Sequence, residues 1–297
     1  WSQPPWRPDA LAARGYQPLR EMLTTVLRHV GAIRVDHILG FFRSWWIPRG
    51  ATPDAGTYVR YDHEAMIGVL MLEAHRAGVT LIGEDLGTVE PWVRDYLAMR
   101  GIFGTSVLWF TTDDDGHPAA TDTYRELVLA TVDTHDMPPA AGYLAGEHVD
   151  LRERLELLVE PVAQVRAQAE RERAGMVETL QTAELLDTDP TEREIIEAMH
   201  RYIATAPSKL LGISVTDMVG ERRSQNQPGT DTQYPNWKIP LADGTNQVVL
   251  VEDLAKNGRL HSLVAAVRRQ LGDDDRLHAI GSEYDRYGMH LREKEQQ

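Results

Sequence analysis

The sequence contains no cysteine, which excludes a disulfide framework and any thiolate metal site and suits a reducing, cytoplasmic setting. It has no apolar run of the roughly 18 residues needed to cross a bilayer as a helix. Basic residues are in deficit: 31 Lys and Arg stand against 45 Asp and Glu, a net charge of −14. Such a surface repels a phosphate backbone or an anionic membrane, so neither nucleic acid nor membrane is an expected partner. HExxH, a close His-x-His pair, GxGxxG and a Walker loop are all missing as well. A metal-hydrolase or phosphate-binding reading therefore has little to stand on. The opening residues, "WSQPPWRPDALAARGY", carry neither an initiator Met nor a signal-peptide pattern and read as the interior of a longer chain.

What is present is a 297-residue chain with 42% hydrophobic residues, ample for a buried core. "PLREMLTTVLRHV" (18–30) places Leu19, Met22, Leu23, Val26, Leu27 and Val30 on one helical face. It feeds the short apolar run "AIRVDHI". A second helix starts near Asp62 and stops at Gly78, before "VTLIGEDL". "EPWVRDYLAMRG" reads as a helix and "TSVLWF" (105–110) as a strand, and "YRELVLATVDTHD" (124–136) as an apolar run with a helical start. A long acidic helical stretch, 150–206, includes "DPTE" (189–192), which offers Asp189 as N-cap, Pro190 in the first turn and Glu192 as capping-box acid. "SKLLGISVTDMVG" is a fifth strand candidate and "LHSLVAAVRRQL" a late helix, and the final "REKEQQ" is expected to fray.

Alternating helices and apolar strands predict an α/β fold built of βα units around a parallel sheet, with function gathered at the C-terminal ends of the strands. Three such ends bear acids: Asp36 in "RVDH", Glu84 in "GEDL" and Asp136 in "THD". One acid after a strand is commonly a helix cap or a surface charge. Three in this order, each flanked by Arg, His or a second acid, suggest a site. Glycoside chemistry uses a pair of carboxyl groups, one as nucleophile and one as proton donor. Arg34, two positions before Asp36, lies on the same strand face and can hold it ionised. Glu84, beside Asp85, suits the proton donor, whereas Asp85 itself reads as a cap or a supporting partner, and His29 and His75 as helix-surface residues. Trp45 and Trp46 can stack on sugars or pack against the protein wall, and the sequence leaves both open.

At these motifs the sequence resembles the 4-alpha-glucanotransferases (amylomaltase, or disproportionating enzyme), relatives of the alpha-amylases. The resemblance runs through "GAIRVDHILGFFRSWWIP", "IGEDLGTVEPWV", "TVDTHDMPPAAGY", "LLGISVTDMVGE" and "NQPGTDTQYPNWKIPL", and fades after about residue 270. It implies a (β/α)8 barrel in which Asp36 is the nucleophile, Glu84 the acid/base and Asp136 the transition-state stabiliser. Arg34, His37, His135 and, weakly, Trp1 would bind substrate, and the partners would be maltooligosaccharides and α-1,4-glucans. It also implies that the chain starts at the third barrel helix. The five strand candidates are then strands four to eight, residues 1–270 form the C-terminal part of the catalytic barrel including a helical insertion at 150–206, which either covers the site or packs outside it, packing being the expectation, and 271–297 is an extension. On that reading the N-terminal half of the barrel is required for activity. A hydrolytic alpha-amylase relative and a non-catalytic carbohydrate-binding piece remain as alternatives.

Overall fold

A computed structural model describes residues 4–272, so Trp1 and most of the 271–297 extension lie outside the described residues. The chain divides into two compact units. One holds the described residues up to Ser106 together with Leu127–Leu129, and the other holds Val107–Glu126 and the described residues from Ala130 onward.

The first unit begins with α1 (Pro8–Ala13) and α2 (Gln17–Leu27). In α2 only the i, i+4 row of the expected apolar face is covered: Leu19, Leu23 and Leu27 are buried, whereas Met22, Val26 and Val30 stand exposed. The chain continues through β1 (Ala32–Val35), β2 (Arg43–Trp46), β3 (Thr57–Arg60), α3 (His63–Ala77), β4 (Thr80–Gly83), α4 (Pro91–Met99) and β5 (Gly104–Val107). Helix α3 is bounded as its sequence demands. The Asp62 side chain accepts the Ala65 N–H at 3.1 Å, and Gly78 caps the other end at φ 68°, a conformation open to glycine at little cost.

Strands β1 and β4 pair in parallel, Ala32 opposite Thr80 and Val35 opposite Gly83. Beyond β4 the Gly83 N–H donates to the Phe103 carbonyl (2.7 Å), and the Gly104 N–H to that of Leu127 (2.9 Å). Between β1 and α3 the chain makes an antiparallel hairpin, β2 with β3, that the alternating pattern did not anticipate. It holds Trp45, which stays exposed, lies edge-on to Tyr58 (centroids 4.9 Å apart) and donates Nε1–H to the Pro53 carbonyl. Leu11, Leu19, Ile38, Phe42, Ile67, Leu70 and Leu97 are among the core residues of this unit.

The second unit follows from β6 (Val128–Thr131), whose first residues belong with the first unit, through α5 (Ala140–Leu144), α6 (Glu147–Arg154), α7 (Val162–Thr182), α8 (Glu192–Ala204), β7 (Leu210–Gly212), α9 (Val215–Val219) and α10 (Gly258–Gln270). Three sequence expectations are corrected. "TSVLWF" is strand only to Val107 and then turns as a 3-10 helix over Leu108–Phe110. Residues 124–127 are not helical, and the strand starts at Val128. The cap of α8 lies two residues later than "DPTE" suggests: Thr191 is the N-cap and Glu194 completes the capping box. Asp189 sits at φ 60°, outside the extended region an N-cap adopts.

Helices α7 and α8 supply Met176, Leu180, Ile195, Ile196, Met199 and Ile203 to the core around Leu108, Val132 and Ala140. Much of the 150–206 stretch is thus part of the core of its unit.

Candidate active site

Each unit carries one cluster of the residues singled out by sequence. In the first, β1 and β4 end side by side, so Asp36 and Glu84 follow directly on paired strand termini. Gly83 is the last residue of β4, and a Cβ there would stand 3.0 Å from the Ile38 side chain. The close approach lets Ile38 bury beneath the strand end while its N–H donates to the Glu84 carbonyl (3.1 Å). His37 adopts a left-handed backbone, φ 47°. That conformation turns both its N–H and its ring toward Glu84, whose Oε2 accepts the N–H at 2.9 Å and lies 3.3 Å from Nδ1. The other oxygen, Oε1, accepts the Leu86 N–H at 2.6 Å.

Glu84 is therefore buried and fixed at both oxygens, with its side chain 6% exposed, whereas that of Asp36 is 58% exposed and open to a ligand. Arg34 Nη1 stands 3.1 Å from Asp36 Oδ1, and His37 Nε2 3.4 Å from Oδ2. The pairing of Arg34 with Asp36 expected from strand periodicity is present. Asp36, His37 and Glu84 each offer an oxygen or nitrogen within 4.8 Å of the others. A cation could be held by such a set, but both Glu84 oxygens already accept backbone N–H groups, so the donor set fits an organic reaction better.

Asp85 follows Glu84 and is turned into the protein. It is buried, its Oδ1 accepts the Thr105 N–H at 2.8 Å, and Arg94 donates to its carbonyl. Of the two roles the sequence leaves open for it, helix cap or supporting partner, its contacts are those of a partner to the neighbouring strand β5. His75 lies on α3 and His29 just past α2, both exposed as expected.

In the second unit the turn after β6 presents His135 and Asp136. Asp136 Oδ2 is 3.3 Å from His135 Nε2, and Oδ1 accepts the Asn226 side-chain N–H at 2.6 Å. The His135 ring stands 5.2 Å from that of Trp237, an exposed residue at φ 61°. Asn226 and Trp237 belong to "NQPGTDTQYPNWKIPL", to which the sequence reading gave no role. A Pro-Gly turn between amides and an aromatic was the available signal. A cavity of about 600 Å³ runs from Asp136 past Tyr143 to Gln168 and Glu172 on α7, so the 150–206 stretch lines space at Asp136 as well as packing.

Residues 1–245 match the sequence model of the 4-alpha-glucanotransferases. The 4-alpha-glucanotransferase of Mycobacterium tuberculosis strain H37Rv is 53% identical over 274 residues, covering 90% of this chain and 38% of that protein. That of Haemophilus influenzae is 33% identical, covering 82% of this chain and 36% of its own length. Among solved structures, the amylomaltase of Corynebacterium glutamicum superposes with a TM-score of 0.86 at 48% identity, over 90% of this chain and 40% of that one. The amylomaltase of Streptococcus agalactiae, solved in complex with acarbose, shares the fold with a TM-score of 0.64 at 18% identity, over 91% of this chain and 47% of that one. The chain spans about two fifths of the length of the curated relatives it matches. With a family model over most of its length and close relatives on both counts, this chain belongs to the 4-alpha-glucanotransferase family.

Proposed function

We propose that the chain carries the catalytic acids of a retaining transglycosylase that moves α-1,4-glucan segments from a donor to an acceptor glucan. One observation supports this most: an oxygen of Asp36 and an oxygen of Glu84 lie within 4.8 Å of one another. Retaining enzymes hold their two carboxyl groups about 5–5.5 Å apart, whereas inverting ones leave about 6.5–9.5 Å for a water. Asp36, open to ligand and paired with Arg34, attacks the anomeric carbon. Its oxygen forms the new C–O bond as the glycosidic bond breaks, and Glu84 gives its proton to the leaving oxygen. Glu84 then takes the proton of an acceptor 4-hydroxyl, which displaces Asp36 and regenerates both groups. Asp136, held by Asn226 and His135, stabilises the positive charge that develops at the reacting ring. Arg34, His37 and His135 orient these groups or bind sugar hydroxyls. We assign the scaffold to the last five units of a (β/α)8 barrel and the setting to the cytoplasm, and no cofactor enters the reaction.

Maltotriose tests the proposal directly. Glucose together with maltopentaose and longer chains marks transfer, and only shorter sugars mark hydrolysis. In Asp36→Asn, turnover falls by on the order of a thousandfold or more while maltooligosaccharide binding survives, as expected on loss of a nucleophile. Unchanged turnover in Asp36→Asn overturns the assignment.

A further inference from the structure

In the second unit the turn after β6 and the loop that holds Asn226 do more than meet at Asp136. Two other residues of the same segments, Asp133 and Gln225, line a second cavity of about 360 Å³. Val132 and Leu211 turn into the core beside α7 and α8, so by strand alternation Asp133 and Gly212 turn to the opposite face, where this cavity lies. The Thr131 hydroxyl donates to the Asp133 carbonyl and fixes the turn. On the facing loop the Trp237 N–H donates to the Gln225 carbonyl at 2.9 Å, and the Tyr234 hydroxyl donates to that of Ser224 at 2.6 Å, so Gln225 and Trp237 are held together by their own segment. Asp136 lines the neighbouring cavity of about 600 Å³ instead, and Met137 borders both.

Two groups on the walls of the smaller cavity have no counterpart in the protein. Asp133 is 7% exposed, and its Oδ2 meets no donor among the described residues; Gln225 Nε2, also buried, meets no acceptor. A buried acceptor and a buried donor left unanswered in one cavity are costly, and a hydroxyl, which donates and accepts, answers both. The rest of the wall narrows the ligand further. It holds no Lys or Arg, so an anion placed against Asp133 is repelled. Among the described residues the set of three groups close enough to share a cation is Asp36, His37 and Glu84, in the first unit. An apolar molecule would leave both polar groups orphaned. Trp237, 65% exposed with its ring 5.2 Å from that of His135, adds a flat wall on which the C–H face of a pyranose can stack. The volume falls near the lower end of the range of about 300–1,000 Å³ usual for small-molecule sites and admits a single sugar ring.

We propose that this cavity holds a glucosyl unit neighbouring the one at Asp136, with a sugar hydroxyl donating to Asp133 and accepting from Gln225. The two residues then set specificity, since an analogue without that hydroxyl leaves both buried groups unpaired. The inference rests on the substrate class given above and extends it to a second unit of the same glucan.

Calorimetry and amide hydrogen exchange on the 297-residue chain carrying Asp36→Asn, which leaves maltotriose intact, test it. Maltotriose slows exchange over 133–139 and 212–216 at least about threefold. Adding Gln225→Met, of similar length but without the amide, weakens binding about tenfold, the factor for one hydrogen bond lost at a buried group, and abolishes the protection over 212–216. The melting temperature stays within about 2 °C of the parent, because Gln225 Nε2 has no protein partner to lose. Should that variant not fold, Asp133→Val carries the same expectation for affinity and protection. Absence of protection over 212–216 in the parent overturns the site, and so does a loss of affinity accompanied by a fall of several degrees in melting temperature. Unchanged affinity in Gln225→Met also overturns it and leaves solvent as the occupant of the cavity. Any of these results together with transfer from maltotriose by the chain with Asp36 intact refutes this site and spares the transglycosylase reading, whereas the expected protection without transfer does the reverse.

Discussion

His148 shows how one side chain ties acid stability to packing beside the candidate site. Its ring stacks on Tyr143 at 4.2 Å, Tyr143 in turn stacks on Trp109 at 4.1 Å, and the Tyr143 hydroxyl donates to Glu172 at 2.5 Å. Burial pushes His148 down to about 4 from an ordinary 6.5, and Nδ1 has no partner. The unfolded ring takes up its proton near pH 6.5 and the folded ring only near 4, so between these values unfolding binds a proton. Stability is therefore lost as pH falls through that window. His148→Phe keeps the stack and removes the titration. Its melting temperature falls less than that of the wild type between pH 6.5 and 4, and parallel curves would show that the ring titrates normally. None of this was legible in the sequence, because a lone His outside a motif carries no sign of what will cover it. Asp36, Glu84 and Asp136 stand out in the sequence since each ends an apolar run, where a charge is costly unless the chain emerges there.

Among the elements, those whose boundaries are set by local chemistry were readable and those set by tertiary contact were not. Asp62 and Gly78 bound α3 as expected, since an N-cap carboxylate and a left-handed glycine need only their own helix. The β2–β3 hairpin was missed because "RSWW" and "TYVR" lack a tight two-residue turn between them; the ten intervening residues, 47–56, hide the pairing from a local reading. The capping box of α8 was displaced by two residues because Asp189 takes a left-handed turn that no composition rule reveals. Its energetic weight can be checked. Thr191 accepts the Glu194 N–H and Glu194 returns to the Thr191 N–H at 2.8 Å, so Thr191→Ala costs about 1 kcal/mol in denaturant unfolding. A loss below the error of the measurement would place the cap elsewhere. Gly142 in α5 is the stricter constraint, for a Cβ there would stand 2.1 Å from the Arg222 carbonyl oxygen. Backbone must shift to admit it, and Gly142→Ala destabilises by about 1–3 kcal/mol.

For the molecule as a whole, the informative fact is how much of a relative the chain represents. It spans about two fifths of the curated relatives' length, and among the described residues β1 has a ladder partner on one side only, β4. Beside that open edge in sequence, α2 leaves Met22 and Val26 exposed at helical spacing although Leu19, Leu23 and Leu27 are covered. An unpaired parallel strand and a bare apolar helix row belong together in the same scheme, since a βα unit laid against β1 would use both. We infer that turnover needs the upstream strands of the family barrel. Supplying, as a separate chain, the part of the M. tuberculosis relative that this chain does not match should raise maltotriose turnover at least about tenfold, because oriented reacting groups are worth several powers of ten and the acids proposed to react, Asp36 and Glu84, lie on this chain. The gain should vanish with Asp36→Asn in this chain, which assigns the chemistry to it and not to the added piece. A Met22→Lys, Val26→Lys double variant should weaken the complementation while Asp36, Glu84 and Asp136 stay intact. Equal turnover with and without the added chain would mean that the two units described here suffice by themselves, and that the exposed row on α2 has no part in assembly.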